Sequence, residues 1–485
     1  MITRNDIFIK ARILSEGVRF ETKEPLSQSY AFDTIEFDKS GLPVQCMMNP
    51  YSRLKVVFEG DRASIYDEGA LLETAHLMKR PAWRSVKLRN GQAIDNFLTY
   101  FTVKLMNVVI HYYCDNCHRG EGCAYCGFYT HNPTDMENMP PETFRELAAC
   151  NAEILKIATD AGWRGTVALN GGAFPNDKWH TLTDRLATFI TPIREALGPE
   201  VFSQLHVVAN VYPPENFSEM LKWKDLGFHG TQFDLETADP TYFAAICPGK
   251  TRFRPHEFWK EAQIASRDVF GPGRGTISFL LMGLEPMEAL LEGLEERLSQ
   301  GIAPIPITRV QLTGSKMERF PPPEADWLVE ACEKTADLFI RYAGKTDGAL
   351  VSDTRPGLTQ ANSPWNLALV NEEIMRRQQQ SQEDEPTLMN DMLRFGRGAQ
   401  WVTKEPPRKT EPVWKGDSEK ILDLLVQSSP LGFRSRVRDK LVRAIMELAE
   451  GAVIDEQLVI QAARIVTPKP FLAIALRNVK SYIKN

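Results

Sequence analysis

From about residue 103 to residue 372, short apolar runs alternate with segments of helical period, six times over. The apolar runs are "VKLMNVVIHYY", "GTVALNGG", "LHVVANVY", "GTQFDLE", "RGTISFLLMG" and "ITRVQLTG". The helical segments fall at about 141–161, 178–197, 215–226, 255–269, 286–299 and 323–343. In the first of them Phe144, Leu147, Ala148, Ile154, Leu155 and Ala158 form one apolar stripe. A strand that feeds a helix and then a parallel neighbour crosses over right-handed, so six such units in series predict a parallel sheet clothed in helices. Each run ends in Gly, Asn, Pro or acidic residues, which gathers polar groups at the strands' C-terminal ends, where α/β barrels carry their chemistry. Six units fall short of eight. The expected fold is therefore α/β, a partial, open (β/α)6 barrel of the TIM type.

The flanks read differently. Residues 1–102 hold short strand-like pieces, "VRFETKE", "LKVVFEG", "ASIYDEG" and "RSVKL", separated by Gly and Asp turns, and suggest a small β-rich cap. Residues 373–415 read as a linker, polar at "RQQQSQEDEPTL" and Pro-rich at "WVTKEPPRKTEPVW". Residues 416–485 suggest a helical module built from "SEKILDLLVQ", "RDKLVRAIMELA", "DEQLVIQAARIV" and "FLAIALRNVKSYI". A net charge of −6 argues against a nucleic-acid partner. No membrane span is expected, because the longest apolar-looking run carries Lys104, Asn107 and His111. The start "MITRNDIFIKAR" lacks a signal-peptide plan, so a cytoplasmic location is expected.

Four of the eight cysteines fall in "CDNCHRGEGCAYCGFY", directly after the first barrel strand. Clustered thiols in a reducing compartment bind a metal or a cluster rather than form a disulfide framework. Spacing alone leaves two readings. Cys114, Cys117, Cys123 and Cys126 match a closed zinc knuckle. Cys117, Cys123 and Cys126 alone would hold three irons of a four-iron cluster and leave one iron open. In the second reading Cys114 is a spare thiol. His111 and His118 flank the window and read as hydrogen-bonded structure. Cys247, in "ICPGK", reads as a turn residue in preference to a thiol near the site, and Cys46, Cys150 and Cys332 as packing residues.

A loop after the first strand of a partial barrel, ending Cys123-Ala124-Tyr125-Cys126 and continuing "GFY", resembles the radical S-adenosylmethionine (radical SAM) superfamily. Most members carry C-x3-C-x2-C; the C-x5-C-x2-C spacing here is similar to a few branches, one of which builds the cofactor of iron-only hydrogenase. The match is to the biotin-synthase-like branch and covers residues 103 to about 315. The resemblance implies a [4Fe-4S] cluster on Cys117, Cys123 and Cys126 and S-adenosylmethionine on its open iron. It implies that Asn170, Gly171 and Gly172 meet the methionine amino group. Asp234 and Glu236, in "FDLETADPTYF", would reach the ribose or methionine part. Gly283 and Glu285 would take the branch's fifth-strand positions, and Tyr125 and Phe128 the adenine side. Asn210, Tyr212, Arg274, Gln311, Asp353 and Arg355 lie near strand ends or following loops and are candidate substrate contacts.

The activity so implied is reductive cleavage of S-adenosylmethionine to start radical chemistry on a small molecule or biosynthetic intermediate. The electron would come from a reductase, flavodoxin or ferredoxin. Biotin synthase adds cysteines on its third and fifth strands; "LHVVANVY" and "TISFLLMG" have none, so sulfur insertion by that route is disfavoured. Transfer of a methyl or 3-amino-3-carboxypropyl group from the same cofactor is the rival chemistry. A zinc-stabilised binding scaffold is the rival from another class.

Overall fold

The computed structural model describes residues 1–22, 32–47, 49, 51–78, 81–94, 98–101, 105–111, 113–127, 141–173, 181–310, 312, 314–348, 350, 369–384, 414–428, 434–449, 453–467, 476–477 and 479–482. The chain divides into two compact units, Met1–Gly398 and Ala399–Asn485.

The first unit opens with a helix that the strand-like reading of this region passed over, α1 (Arg4–Glu16). Thr3 caps it: its hydroxyl accepts from Asp6 N while the Asp6 carboxylate accepts from Thr3 N at 2.7 Å. Six strands follow, β1 (Arg19–Thr22), β2 (Phe32–Phe37), β3 (Pro43–Met47), β4 (Leu54–Glu59), β5 (Arg62–Asp67) and β6 (Ala70–Leu77). They form one mixed sheet in the order β1-β4-β5-β6-β2-β3, with only β1 and β4 parallel. "RSVKL" is not one of them. Ala82–Ser85 is a short 3-10 turn, and Lys87 makes a single bridge to Ala93.

The second sheet carries the barrel. Its order is β13-β12-β11-β10-β9-β8-β7. The strands are β7 (Leu98–Phe101), β8 (Leu105–His111), β9 (Thr166–Gly171), β10 (His206–Asn210), β11 (Gly230–Gln232), β12 (Gly273–Met282) and β13 (Ile302–Thr308). All neighbours from β8 to β13 are parallel; β7 joins the edge antiparallel. The strands read as nearly continuous apolar runs because both faces are covered, and every residue of β13 is buried. The sixth strand lies earlier than "ITRVQLTG" suggests. Pro304 and Pro306 in "IAPIPIT" look like strand breakers, but β13 is the last strand of the sheet, where a missing N–H breaks no ladder.

Helices α3 (Pro141–Asp160), α4 (Leu182–Phe202), α5 (Glu219–Leu226), α8 (His256–Phe270), α9 (Met287–Ser299) and α10 (Ala325–Arg341) occupy the six segments that the helical period marked. Three short ones were not foreseen: α2 (Asp115–His118), α6 (Pro240–Ile246) and α7 (Pro248–Phe253). The polar run beginning at residue 377 is also helical as far as its first residues go, within α11 (Val370–Asp384). Ion pairs explain how so polar a segment holds. Glu373 binds Arg376 at 2.7 Å and Arg377 at 2.6 Å, and Arg377 reaches Asp337 on α10. Fully buried Lys10 on α1 pairs with fully buried Glu372 on α11.

The second unit holds α12 (Ser418–Gln427), α13 (Arg434–Ala449) and α14 (Glu456–Val466), closed on Ile421, Leu425, Leu441, Ile445, Val459 and Ile460. Most of "FLAIALRNVKSYI" lies outside the described residues. Among the described residues no helix is long and apolar enough to cross a membrane.

Candidate active site

The cysteine loop leaves the end of β8 and is gripped from three other parts of the barrel. Asp115 N donates to Ala173 O beyond β9 at 2.7 Å. Ala124 N donates to Ile246 O, and Gly249 N to Glu121 O, tying the loop to α6 and α7 at 2.8 and 3.0 Å. After β13, Met317 N donates to Ala124 O at 3.0 Å and Lys316 Nζ to Gly120 O at 2.7 Å. Two of these approaches demand glycine. A Cβ on Gly172 would lie 2.5 Å from Tyr113 O and 2.6 Å from Cys114 Cβ, and one on Gly249 would lie 2.3 Å from Asn116 Cγ. The Gly-Gly turn after β9 therefore lets the second strand end against the cysteine loop.

Behind the loop is a cavity of ≈ 210 Å³. Cys114, Cys117, Cys123 and Cys126 all line it. Asn170, Gly171 and Gly172 enter from β9, and Asn210 and Tyr212 from the end of β10. Asp234 and Glu236 come from beyond β11. Lys250 and Trp259, which the sequence reading missed, complete the wall from α7 and α8. Asn170 Nδ2 donates to Asn107 Oδ1 at 3.0 Å, and the Tyr212 hydroxyl accepts from Asn116 Nδ2.

The charged groups form one network. Lys250 Nζ lies 2.6 Å from Glu236 Oε1 and 2.8 Å from the Asp234 carbonyl, and 4.7 Å from the centre of the Trp259 ring. Burial opposes its charge, but Glu236 and then the Cys123 and Cys247 sulfurs outweigh that and raise its pKa. Glu236 holds a left-handed backbone, φ 65°, a strained state for a side-chain-bearing residue. Asp234 Oδ1 accepts from Phe279 N at 2.8 Å. Burial, with Glu236 beside it, lifts the Asp234 carboxyl to about 7.

No disulfide joins any of the eight cysteines. Four of the site thiols interact in two pairs. Cys117 partners Cys114, which lowers the Cys114 thiol to about 6 and raises Cys117. Cys247 partners Cys123, which lowers Cys123 and raises Cys247. Cys247 is thus more than a turn residue, although only the meeting of α7 with the loop reveals it. Four thiols lining one cavity are soft donors of the kind that iron–sulfur clusters use. Among the described residues no three Cys, His, Asp or Glu side chains form a metal-binding group.

Other expected contacts lie elsewhere. Glu285 Oε1 and Oε2 accept from Ala238 N and Asp239 N, each at 2.8 Å, just before α6. Gly283 has φ 92° and packs beneath Pro323, where a Cβ would meet Cγ at 2.6 Å. Neither lines the cavity. Arg274 sits near the start of β12, at the opposite end of the strand from the cavity, because "GPGRG" precedes its strand rather than following one. Tyr125 packs against the apolar core and is not a lining residue. Phe128, Gln311, Asp353 and Arg355 lie outside the described residues, and His111 is described only in its backbone.

No family model matches the chain. Over 385 residues it is 42% identical to bacteriochlorophyllide c C-7(1)-hydroxylase of Chlorobaculum limnaeum, spanning 78% of this chain and 96% of that protein.

Proposed function

The chain belongs to the family of this hydroxylase, and from that premise we propose that it is a radical SAM enzyme that hydroxylates a bacteriochlorophyllide on the C-7(1) carbon. The observation that carries this reading is the identity itself, which runs through almost the whole length of the hydroxylase. The cavity supports it, since thiols and polar side chains face each other at the C-terminal ends of the parallel strands.

Cys117, Cys123 and Cys126 would hold a [4Fe-4S] cluster, with Cys114 and Cys247 as the neighbouring thiols. When bound, the cluster supplies the electron that breaks a carbon–sulfur bond of S-adenosylmethionine and so starts the radical chemistry. The chain's own residues bind and orient. Lys250 fixes the Glu236 carboxylate and the Asp234 carbonyl, so that β11 ends in two aligned acidic residues facing the cavity. Asn107 orients Asn170, and Asn116 orients Tyr212. Trp259 seals one wall against water, which a radical site must exclude. The biotin-synthase-like branch, with its longer cysteine loop, is the proposed place of this chain within the superfamily.

The test is anaerobic reconstitution with iron and sulfide, then incubation with S-adenosylmethionine, dithionite and bacteriochlorophyllide c. A pigment product one oxygen heavier, together with 5′-deoxyadenosine, is expected. Cys123→Ala should abolish nucleoside formation, and Cys114→Ala should retain much of it. The reverse pattern between Cys114→Ala and Cys117→Ala would reassign the trio. Methylthioadenosine or S-adenosylhomocysteine in place of deoxyadenosine would favour group transfer. One tightly held zinc and no iron would favour a binding scaffold.

A further inference from the structure

Arg309 follows directly after β13 and is 2% exposed. Its Nη2 donates to the carbonyls of Phe320 and Pro321, but Nε and Nη1 are enclosed without a hydrogen-bond partner. Burial alone acts on its guanidinium, pulling its pKa down; no carboxylate contributes. The other deeply buried arginines differ. Arg297 binds Glu296 at 2.8 Å, and Arg185 has Asp184 beside it in sequence, whose charge offsets part of its burial. An arginine cannot escape by losing its proton, and an enclosed cation without a counter-ion is costly. A structural role would be expected to bring an acid with it.

The sheet register tells which face Arg309 shares. Asn170 pairs with Asn210, Val208 with Gly230, Gln232 with Ile277, and Phe279 and Leu281 with Ile305 and Ile307. Paired residues of a parallel sheet point to one face, and so do residues two apart. Asn170 and Asn210 line the cavity. Phe279, Leu281, Ile305 and Ile307 therefore belong to the interior face of the barrel, and Arg309 is next in that row. Arg309 N also donates to Met282 O, so the ladder continues through it. The row is an apolar wall that ends in a buried cation with two unused donors.

The geometry points to Arg309 as the binding residue for a carboxylate on a ligand whose apolar body lies along Phe279, Leu281, Ile305 and Ile307. The unpartnered Nε and Nη1 lie on different edges of the guanidinium, so each can give a carboxylate oxygen a single charge-assisted hydrogen bond. Two ligands of the proposed reaction carry that group, the pigment as its free acid and S-adenosylmethionine through its methionine part. The apolar wall, and the separation of β13 from the Lys250–Glu236 network by two strands' width of sheet, favour the pigment. This assignment rests on the proposed function for its choice of ligand.

The experiment uses the reconstituted holoenzyme and equilibrium binding without turnover. The probes are bacteriochlorophyllide c as free acid, its methyl ester, and S-adenosylmethionine. The wild type is expected to favour the acid over the ester by about tenfold or more. Arg309→Met should remove that preference and leave S-adenosylmethionine binding within about twofold, and Arg309→Lys should restore part of it. Weaker S-adenosylmethionine binding in Arg309→Met, with the acid unaffected, would keep the carboxylate site but assign it to the methionine part. Acid and S-adenosylmethionine both binding Arg309→Met as they bind the wild type would overturn the assignment. Should Arg309→Met fail to fold, the wild-type acid-to-ester ratio and Arg309→Lys decide in the same way. A wild type that binds neither pigment form would defeat the pigment reading; unchanged S-adenosylmethionine binding in Arg309→Met would then overturn the Arg309 assignment as well.

Discussion

Lys10–Glu372 and Lys250–Glu236 are both ion pairs between buried side chains, the first joining α1 to α11 and the second at the end of the barrel strands. At the first pair burial dominates. It lowers the pKa of Lys10 and raises that of Glu372, so each partner is pushed towards its neutral form. At the second pair the same burial is outweighed, because Glu236, Cys123, Cys247 and Tyr212 all surround one ammonium and keep it charged. A lone buried pair is a weak source of stability, and its best-attested use is to fix how elements dock. A cation held charged among thiols and carboxylates has a different use, since its field acts on whatever enters the cavity. The N-terminal region thus uses a buried charge to join helices, and the barrel uses one to prepare a site.

Five substitutions sharpen or break that contrast. Lys250→Met should lower nucleoside formation by about 100-fold or more, because it leaves Glu236 buried and unpaired. Adding Glu236→Leu should recover folding, seen in the thermal midpoint, but not nucleoside formation; recovery of both would make the second pair structural like the first. Lys10→Met should destabilise the chain by about 3–5 kcal/mol, and adding Glu372→Leu should return most of that. Denaturant titration measures the stability, and nucleoside formation by the folded fraction should stay close to wild type in both. Gly172→Ala should cost about 1–3 kcal/mol, because its methyl meets Tyr113 O and Cys114 Cβ, and iron retention should fall with it.

The smallest effect concerns pH. Burial lifts the Glu285 carboxyl to about 7 against the two N–H bonds that it accepts. A carboxyl whose folded pKa lies above its unfolded value binds a proton in the native state that the unfolded chain has lost. Its contribution to stability is therefore present below the ordinary glutamate value of 4.5 and is lost as pH rises towards about 7. Glu285→Gln should flatten this part of the decline in thermal midpoint between about pH 5 and about pH 7. A slope that does not change would show that Glu285 stays ionised at the start of α6.

Much of the fold was legible because it is written in short-range periods. The six helical segments and five of the six barrel strands follow from apolar spacing that any reader can count. The sixth strand was misplaced because Pro304 and Pro306 carry a local signal that only a sheet edge cancels. Helix α1 was missed in a region dominated by strand-like runs, and α11 because its apolar residues in the core are few, Val370, Ile374 and Met375, and ion pairs help to hold the rest. At the site, the four clustered cysteines and the residues after β9, β10 and β11 were visible as a loop and three strand ends.

The sequence by itself determined the strand–helix alternation, the thiol-rich loop after the first barrel strand and the polar strand ends, since each depends on neighbours within a few residues of the backbone. Only the tertiary structure decided that Cys247 meets Cys123, that Lys250 meets Glu236, that Glu285 serves α6 instead of the cavity, and that Arg309 is enclosed without an acid. Those relations join residues far apart in the chain, and they exist only once strand register and the curl of the sheet have brought the separate loops together.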